Sequence, residues 1–266
     1  MKKSDYGLLT LLALLAGFIW LRDLEWVSTF DDTVPILIVL PLFFWIGSPW
    51  ALKEEHGSLS PKIIAIAIAC FLLGIILNLT ILLSVSWTLI LWAWLSVRVV
   101  PTAERSLPKL MTLTLMAFPW VSLDADRLGW WFRISGAWVA AQCFQLLGYD
   151  VFYEGTMVTI DGLPISVEAA CAGLNTLQSM LIAGTLVAYL LLKDTPRFWW
   201  NIPLLFVVSW LGNTMRIIML SAAALIKGPE FALGAFHTWG GMAILLFTFV
   251  VCWLLFSLQV PRKSEK

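Results

Sequence analysis

Three side chains in the second half of the chain, Cys171, Arg216 and His237, are of the types that acyl transfer needs. They lie in the stretches "EAACAGL", "NTMR" and "FHTWGG". A cysteine thiolate can attack a carbonyl, a histidine can move a proton, and a cation can stabilise the developing oxyanion. The three residues fall on three different apolar segments, so the helices that carry them must bring them together.

Cys171 stands where a short alternating segment runs into a long apolar one. A helix that begins near this residue would stabilise a thiolate at its N-terminus. The alternative is a small buried side chain, which is the common role of free cysteine. The remaining cysteines lie within apolar runs and fit that alternative well: Cys70, Cys143 and Cys252.

Arg216 has apolar residues on both sides, which makes snorkelling to the membrane surface a weak alternative. A buried guanidinium needs an anionic partner, such as a thiolate, a substrate carboxylate or an oxyanion. His237 precedes Gly240 and Gly241, which permit close approach of helices. A lone histidine there could also be only a polar anchor, but it is expected at the same membrane level as Cys171 and Arg216.

Three further residues are candidates for binding substrate or supporting the site. Glu168 could orient His237 or hold a substrate chain, and a solvated end of a β-hairpin is an equally good interpretation. Asn175 follows Cys171 by one helical turn, and Asn213 precedes Arg216 by one turn. Both asparagines are expected to donate or accept hydrogen bonds near the reacting groups.

The composition is that of an integral membrane protein. Of 266 residues, 60% are hydrophobic and 13% are charged, whereas soluble domains have roughly 25% charged residues. The net charge is zero, so nothing favours nucleic-acid binding. No zinc motif, G-x-S-x-G or C-x-x-C pair is present, and neither a metal nor another cofactor is expected.

Apolar runs of about 20 residues are long enough to cross a bilayer. The sequence predicts an all-α polytopic membrane protein with about eight transmembrane helices, in one domain spanning 1–266. The N-terminal apolar run is expected to be an uncleaved first helix, because no small-residue cleavage site follows it. The predicted spans are 6–21, 34–51, 62–79, 82–99, 109–122, 171–192, 198–224 and 237–258, with a turn between the third and fourth in "NLTILLS".

Lys and Arg residues accumulate on one side of this arrangement. With both termini in the cytoplasm, 12 of the 17 basic residues lie inside, 4 lie outside, and Arg216 lies within a span. This bias predicts an outer-face location for the candidate site. The inner basic residues are Lys2, Lys3, Lys53, Lys62, Arg98, Arg105, Lys109, Lys193, Arg197, Arg262, Lys263 and Lys266.

An insertion at 128–170 is expected on the outer face, before the catalytic helices at 171–258. Segment 128–147 carries several polar residues and is predicted to be an amphipathic helix in the interface. A ninth crossing here would weaken the charge bias. The next stretch breaks at Glu154-Gly155 and Asp161-Gly162, and Asp-Gly between short β-type runs predicts a small β-hairpin.

The chain resembles the exosortase/archaeosortase family of multi-pass membrane transpeptidases. The matching stretches are "EAACAGL", "NTMR" and "FHTWGG", in the same order and on the last three spans, and the likeness covers about residues 150–250. The resemblance implies that Cys171 is the nucleophile, His237 the general acid/base and Arg216 the stabilising cation. The family motif usually reads Cys-Ser-Gly, and Ala172 departs from it.

The resemblance also implies the substrate and the reaction. Exported proteins would carry a C-terminal sorting signal, PEP-CTERM-like: a short motif such as Pro-Glu-Pro, a transmembrane helix and a basic tail. A cysteine peptidase of this kind cuts near the motif through a thioester and transfers the protein to a surface acceptor. The alternative is a non-enzymatic transporter or scaffold that binds an anionic solute through Arg216, in which Cys171 only packs.

Overall fold

The computed structural model describes residues 3–27, 30–53, 57–102, 105–166 and 174–261. These residues form α-helices and one small sheet. The helices are α1 Lys3–Leu21, α2 Phe30–Ile46, α3 Pro61–Ile76, α4 Thr80–Arg98, α5 Leu107–Leu115, α6 Trp120–Leu123, α7 Ala125–Leu146, α8 Leu174–Leu192, α9 Phe198–Lys227, α10 Pro229–Leu233 and α11 Ala235–Ser257. A short 3-10 turn spans Glu25–Val27.

Three of the described helices are long and apolar enough to cross a membrane: Thr80–Arg98, Phe198–Lys227 and Phe236–Ser257. Four shorter apolar helices cover Asp5–Leu21, Thr33–Ile46, Pro61–Ile76 and Leu177–Leu192. Together these seven helices correspond to seven of the predicted spans. The mostly helical architecture with a small sheet is therefore confirmed, and the count of eight transmembrane helices stays a prediction.

The predicted span at 109–122 corresponds to two short helices, α5 and α6, rather than to one continuous helix. The break falls before Pro119, which precedes the first residue of α6. Proline lacks an N–H group and disfavours the helical conformation of the residue before it. The local sequence thus explains why this segment does not continue as a single helix.

The chain divides into two compact units. The N-terminal unit comprises Met1–Asp124 with Lys193–Thr195, and the C-terminal unit comprises Ala125–Leu192 with Pro196–Lys266. The organisation in one domain remains a prediction. The predicted subdivision into an insertion at 128–170 and catalytic helices at 171–258 falls within the C-terminal unit, apart from Lys193–Thr195.

Helices α3 and α4 of the N-terminal unit form an antiparallel pair. Asn78 adopts a left-handed φ of 54° in the turn between them, so the predicted turn in "NLTILLS" is confirmed. The carboxylate of Asp124 accepts the backbone N–H groups of Thr80 and Ile81 at 2.9 and 2.8 Å. These bonds satisfy two of the free donors at the start of α4.

The β-element of the C-terminal unit is a three-stranded antiparallel sheet. Its strands are β1 Val151–Glu154, β2 Met157–Ile160 and β3 Leu163–Ser166, in the order β1-β2-β3. Asp161 and Gly162 join β2 to β3 with φ values of 47° and 80°, as a type I′ turn requires. The Asp-Gly prediction is confirmed, and the glycine at 155 adds a second hairpin to the one expected.

The sheet packs on α7 and α9. The buried Val158 and Ile160 of β2 lie in one core cluster with alanines of α7 and with Ile217 of α9. The helix predicted at 128–147 is present as α7, and it is not among the three candidate membrane spans. Its position in the membrane interface stays a prediction.

Candidate active site

Helices α8, α9 and α11 approach one another closely because small residues face bulkier ones. A Cβ added to Gly184 of α8 would clash with Leu205 of α9, and one added to Gly212 of α9 would lie 2.5 Å from Thr248 of α11. Such glycine contacts are a common way for membrane helices to pack at short distance. They fix the relative heights of the three helices that carry the candidate residues.

Arg216 of α9 and His237 of α11 lie side by side. The guanidinium Nη2 of Arg216 is 3.1 Å from Nε2 of His237. A guanidinium has no acceptor, so Arg216 donates and Nε2 accepts with its lone pair. His237 is therefore a neutral imidazole in this geometry, with its ring proton on Nδ1. The structure thus brings two of the three predicted catalytic residues together.

Gly241 makes room for this pair. A Cβ at Gly241 would lie 3.2 Å from Nε and 3.3 Å from Cζ of Arg216. The neighbouring Gly240 differs, since a Cβ there would meet only the Phe236 ring of its own helix at 3.7 Å. Of these two glycines, Gly241 is the one that lets the guanidinium lie flat against α11.

Asn213 lies one turn before Arg216 and is 1% exposed. Neither its Oδ1 nor its Nδ2 has a hydrogen-bond partner among the described residues, and the same holds for Nε of Arg216. Buried polar atoms are nearly always paired in folded proteins, and exceptions cluster at functional sites. These atoms are available to a substrate or to a reacting group, and the supporting role of Asn213 stays a prediction.

Cys171 and Glu168 lie outside the described residues. Asn175 belongs to α8, and its side chain is likewise outside what the structure describes. Their predicted roles are therefore tested by no contact in the structure. The packing of α8 against α9 nevertheless shows the level at which α8 begins.

The antiparallel pairing of α8 and α9 extends to the level of Arg216. From the contact of Gly184 with Leu205, ten residues lead back to Leu174 and eleven lead forward to Arg216. Both stretches are about 15–17 Å long at the rise of an α-helix. The start of α8, three residues after Cys171, therefore lies at about the height of Arg216.

The first turns of α11 lie at the same level as the start of α8. Ser179 and Met180 of α8 line one cavity of about 590 Å³ together with Trp239 of α11. Trp239 follows His237 by two residues, so the first turns of α8 and α11 lie at the same end of the helix group. No charged residue of α9 other than Arg216 occurs before Lys227 at its last position.

Sequence reasoning did not foresee two features around these helices. The indole Nε1 of Trp210 donates to Oγ of Ser135 at 2.8 Å, which ties α9 to α7. The short helix α10 follows Gly228, which has a φ of 90°. A proline directly after this glycine is the signal that predicts a helix start at that point.

Comparison with known families agrees with the motifs. Residues 2–254 match the family described as Transmembrane exosortase (Exosortase_EpsH). No curated protein and no solved structure matches the chain significantly. The family match covers nearly the whole chain, which confirms the resemblance drawn from the residues around Cys171, Arg216 and His237 and agrees with the apolar helices of a membrane protein. The chain belongs to the transmembrane exosortase family.

Proposed function

We propose that the protein is a membrane cysteine transpeptidase that cleaves the C-terminal sorting signal of exported proteins. The signal is PEP-CTERM-like, with a short motif, a transmembrane helix and a basic tail. The observation that carries the proposal is the Arg216–His237 pair, at 3.1 Å, on two helices of an exosortase-family chain. A cation and a proton carrier in contact, at the height where α8 begins, suit acyl transfer at Cys171.

The reaction begins with attack of the Cys171 sulfur on a backbone carbonyl of the motif, and the thiol proton passes to Nε2 of His237 as the oxyanion forms. The C–N bond breaks after the tetrahedral intermediate has formed, the acyl group stays on sulfur as a thioester, and the amine leaves with a proton from His237. A nucleophile on the surface acceptor then attacks the thioester and gives its proton to His237, which passes it to the departing Cys171 sulfur. Transfer to water instead of the acceptor would make the same enzyme a protease.

Arg216 serves two steps in this scheme. Before substrate binds, its N–H occupies the lone pair of His237 Nε2 and keeps the imidazole neutral. When an oxyanion forms, the guanidinium can turn toward the negative charge and release Nε2 to accept a proton. One removed oxyanion donor typically costs about 10²–10³ in rate.

Glu168, Asn175 and Asn213 would assist these groups. Asn213 is the best supported of the three, because its amide is buried beside Arg216 without a partner among the described residues. The orientation that fits the basic residues has both termini in the cytoplasm and the site at the outer face of the cell membrane. Exported substrates would reach the site there, and the insertion at 128–170 would lie beside it.

A reporter protein that ends in Pro-Glu-Pro, an apolar helix and a basic cluster tests the proposal by co-expression. Cys171→Ala should abolish removal of the reporter's tail, whereas Cys143→Ala should remove the tail at the wild-type rate. Processing at the wild-type rate by Cys171→Ala would exclude the nucleophile. Labelling of intact cells that express Cys143→Ala with an impermeant thiol reagent tests the orientation, because Cys171 is then the cysteine expected at the outer face.

The rival class, a transporter or scaffold that binds an anionic solute, makes a different prediction for the same variants. Anion uptake into vesicles would then depend on Arg216 and not on Cys171. A transporter commonly has broken helices in corresponding halves of the chain, and no such pairing is evident in the sequence. A source genome without proteins that carry such sorting signals would favour the rival.

A further inference from the structure

Strand β3 is an edge strand of the three-stranded sheet. The order β1-β2-β3 leaves one side of β3 without a strand partner in the described part of the chain. Because the loop between β2 and β3 has two residues, Ile160 and Leu163 form a hydrogen-bonded pair. Alternation then directs the backbone of Leu163 and Ile165 toward β2.

The backbone groups of Pro164 and Ser166 consequently lie on the free side of β3. They offer two carbonyl acceptors and one donor, the N–H of Ser166. Pro164 has no N–H, and edge positions that face away from the ladder are where sheets tolerate proline. Open strand edges of this kind are ready to pair with another chain.

A groove runs between this edge and two helices. We call it the β3 groove; its volume is about 240 Å³. Its strand side is formed by Leu163, Pro164, Ile165 and Ser166, and its helix side by Ile217, Leu220, Ser221, Ala224, Ala232 and Leu233 of α9 and α10. The helix wall is apolar apart from the hydroxyl of Ser221, so it suits small apolar side chains.

We propose that the β3 groove binds an extended peptide segment of the substrate as an added strand on β3. The inference rests on the proposed function and specifies how the sorting motif is held. Strand addition supplies affinity through main-chain hydrogen bonds, and the wall receives alternate side chains. A lipid tail offers no donor or acceptor to the free backbone groups, which an extended peptide satisfies.

The β3 groove and the candidate site draw on the same turn of α9. Ile217, which lines it, directly follows Arg216 on α9. Five residues of chain join Ser166 to Cys171, a distance of at most about 18 Å when fully extended. A peptide aligned on β3 therefore has a backbone carbonyl within a few residues of the thiol.

A pair of proline substitutions tests the hydrogen bonds of the added strand. Ser166→Pro removes the free N–H of β3 and leaves its ladder with β2 unchanged. Tyr153→Pro makes the same change on the free side of β1 and serves as the control. Ser166→Pro should lower the kcat/KM for reporter cleavage about three- to tenfold, the effect of one lost hydrogen bond. Equal values for the two variants, at equal melting temperatures, would overturn the proposal.

Photocross-linking tests occupancy without depending on cleavage. Benzoylphenylalanine replaces Leu233, which is 71% exposed, or Tyr153 as the control, in full-length Cys171→Ala protein that holds the uncut reporter. The reporter should cross-link through its motif at position 233 and not at 153. A lipid adduct alone at 233, or no adduct, would overturn the groove assignment.

The two proposals fail separately. If Cys171→Ala is inactive and the reporter does not cross-link at 233, only the groove assignment falls. If Cys171→Ala cleaves the reporter as the wild type does, the nucleophile falls, whatever the result of cross-linking.

Discussion

The guanidinium of Arg216 donates a hydrogen bond to Nε2 of His237 across 3.1 Å. This bond joins α9 to α11 and ties the protonation state of the histidine to the position of the arginine. As long as Arg216 remains there, Nε2 cannot take a proton. A negative charge that attracts the guanidinium therefore also frees His237 to act as a base.

Removal of the guanidinium should remove most of the activity. Arg216→Ala should reduce the rate of reporter cleavage by about 10²–10³, the usual effect of losing one oxyanion donor. Arg133→Ala is the matched control, because Arg133 lies over the Trp130 ring on α7, at 5.4 Å, and has no part in the proposed site. A rate within twofold of wild type for Arg216→Ala would contradict the assigned role.

Replacement of the imidazole separates its hydrogen bond from its proton transfer. In His237→Gln a side-chain oxygen can still accept from Arg216, but the amide cannot carry a proton. We expect wild-type expression and melting temperature with a rate lower by about 10²–10⁴, the range for general acid–base catalysis. Comparison with His237→Ala shows whether the bond to Arg216 also contributes to stability. Full activity in the glutamine variant would exclude the histidine as the proton carrier.

Two adjacent glycines should respond differently to the same substitution. Gly241→Ala places a methyl group 3.2 Å from Nε of Arg216 and displaces the guanidinium. Gly240→Ala meets only ordinary contacts at 3.7 Å, and alanine is the better helix former by about 1 kcal/mol. Cleavage should fall several-fold in Gly241→Ala, less than the roughly 10²-fold that a 1 Å misplacement can cost, and remain unchanged in Gly240→Ala. The same rate in both variants would show that the position of Arg216 does not matter.

Packing between α9 and α11 can be tested by a double-mutant cycle. Gly212→Ala brings a methyl group to 2.5 Å from Thr248 Oγ1, and overpacking of this kind costs about 1–3 kcal/mol. Thr248→Ala removes the atoms in conflict and should restore the melting temperature in the double variant. The measurement is thermal unfolding in detergent. Additive effects of the two substitutions would indicate that the residues do not meet.

Local patterns in the sequence predicted most of the elements of the fold. Apolar runs marked the helices, and Asp161-Gly162 marked the turn between β2 and β3. Pro119 carries the signal for the break between α5 and α6, but the apolar content of 109–122 outweighed it in the prediction of one span. The second hairpin, at Gly155, needed only the same turn chemistry.

The site was harder to predict, because it depends on the rotation of one helix against another. The sequence indicated Arg216 and His237 as functional residues on neighbouring membrane segments. It did not indicate that they touch, since a rotation of α11 by one residue would turn His237 away. Because Gly241 has no side chain, the guanidinium fits against α11 on the face where His237 lies. Packing in three dimensions is likewise needed to see that the amide of Asn213 is buried without a hydrogen-bond partner among the described residues.

The central claim is that the acyl group passes through a thioester on Cys171. The most direct test is to trap that intermediate with the co-expressed reporter by rapid acid quenching and to determine its mass. We expect wild-type protein to carry the reporter's N-terminal fragment in a bond that hydroxylamine cleaves, and Cys171→Ala to carry none. Release of the tail by Cys171→Ala at the wild-type rate would contradict the account.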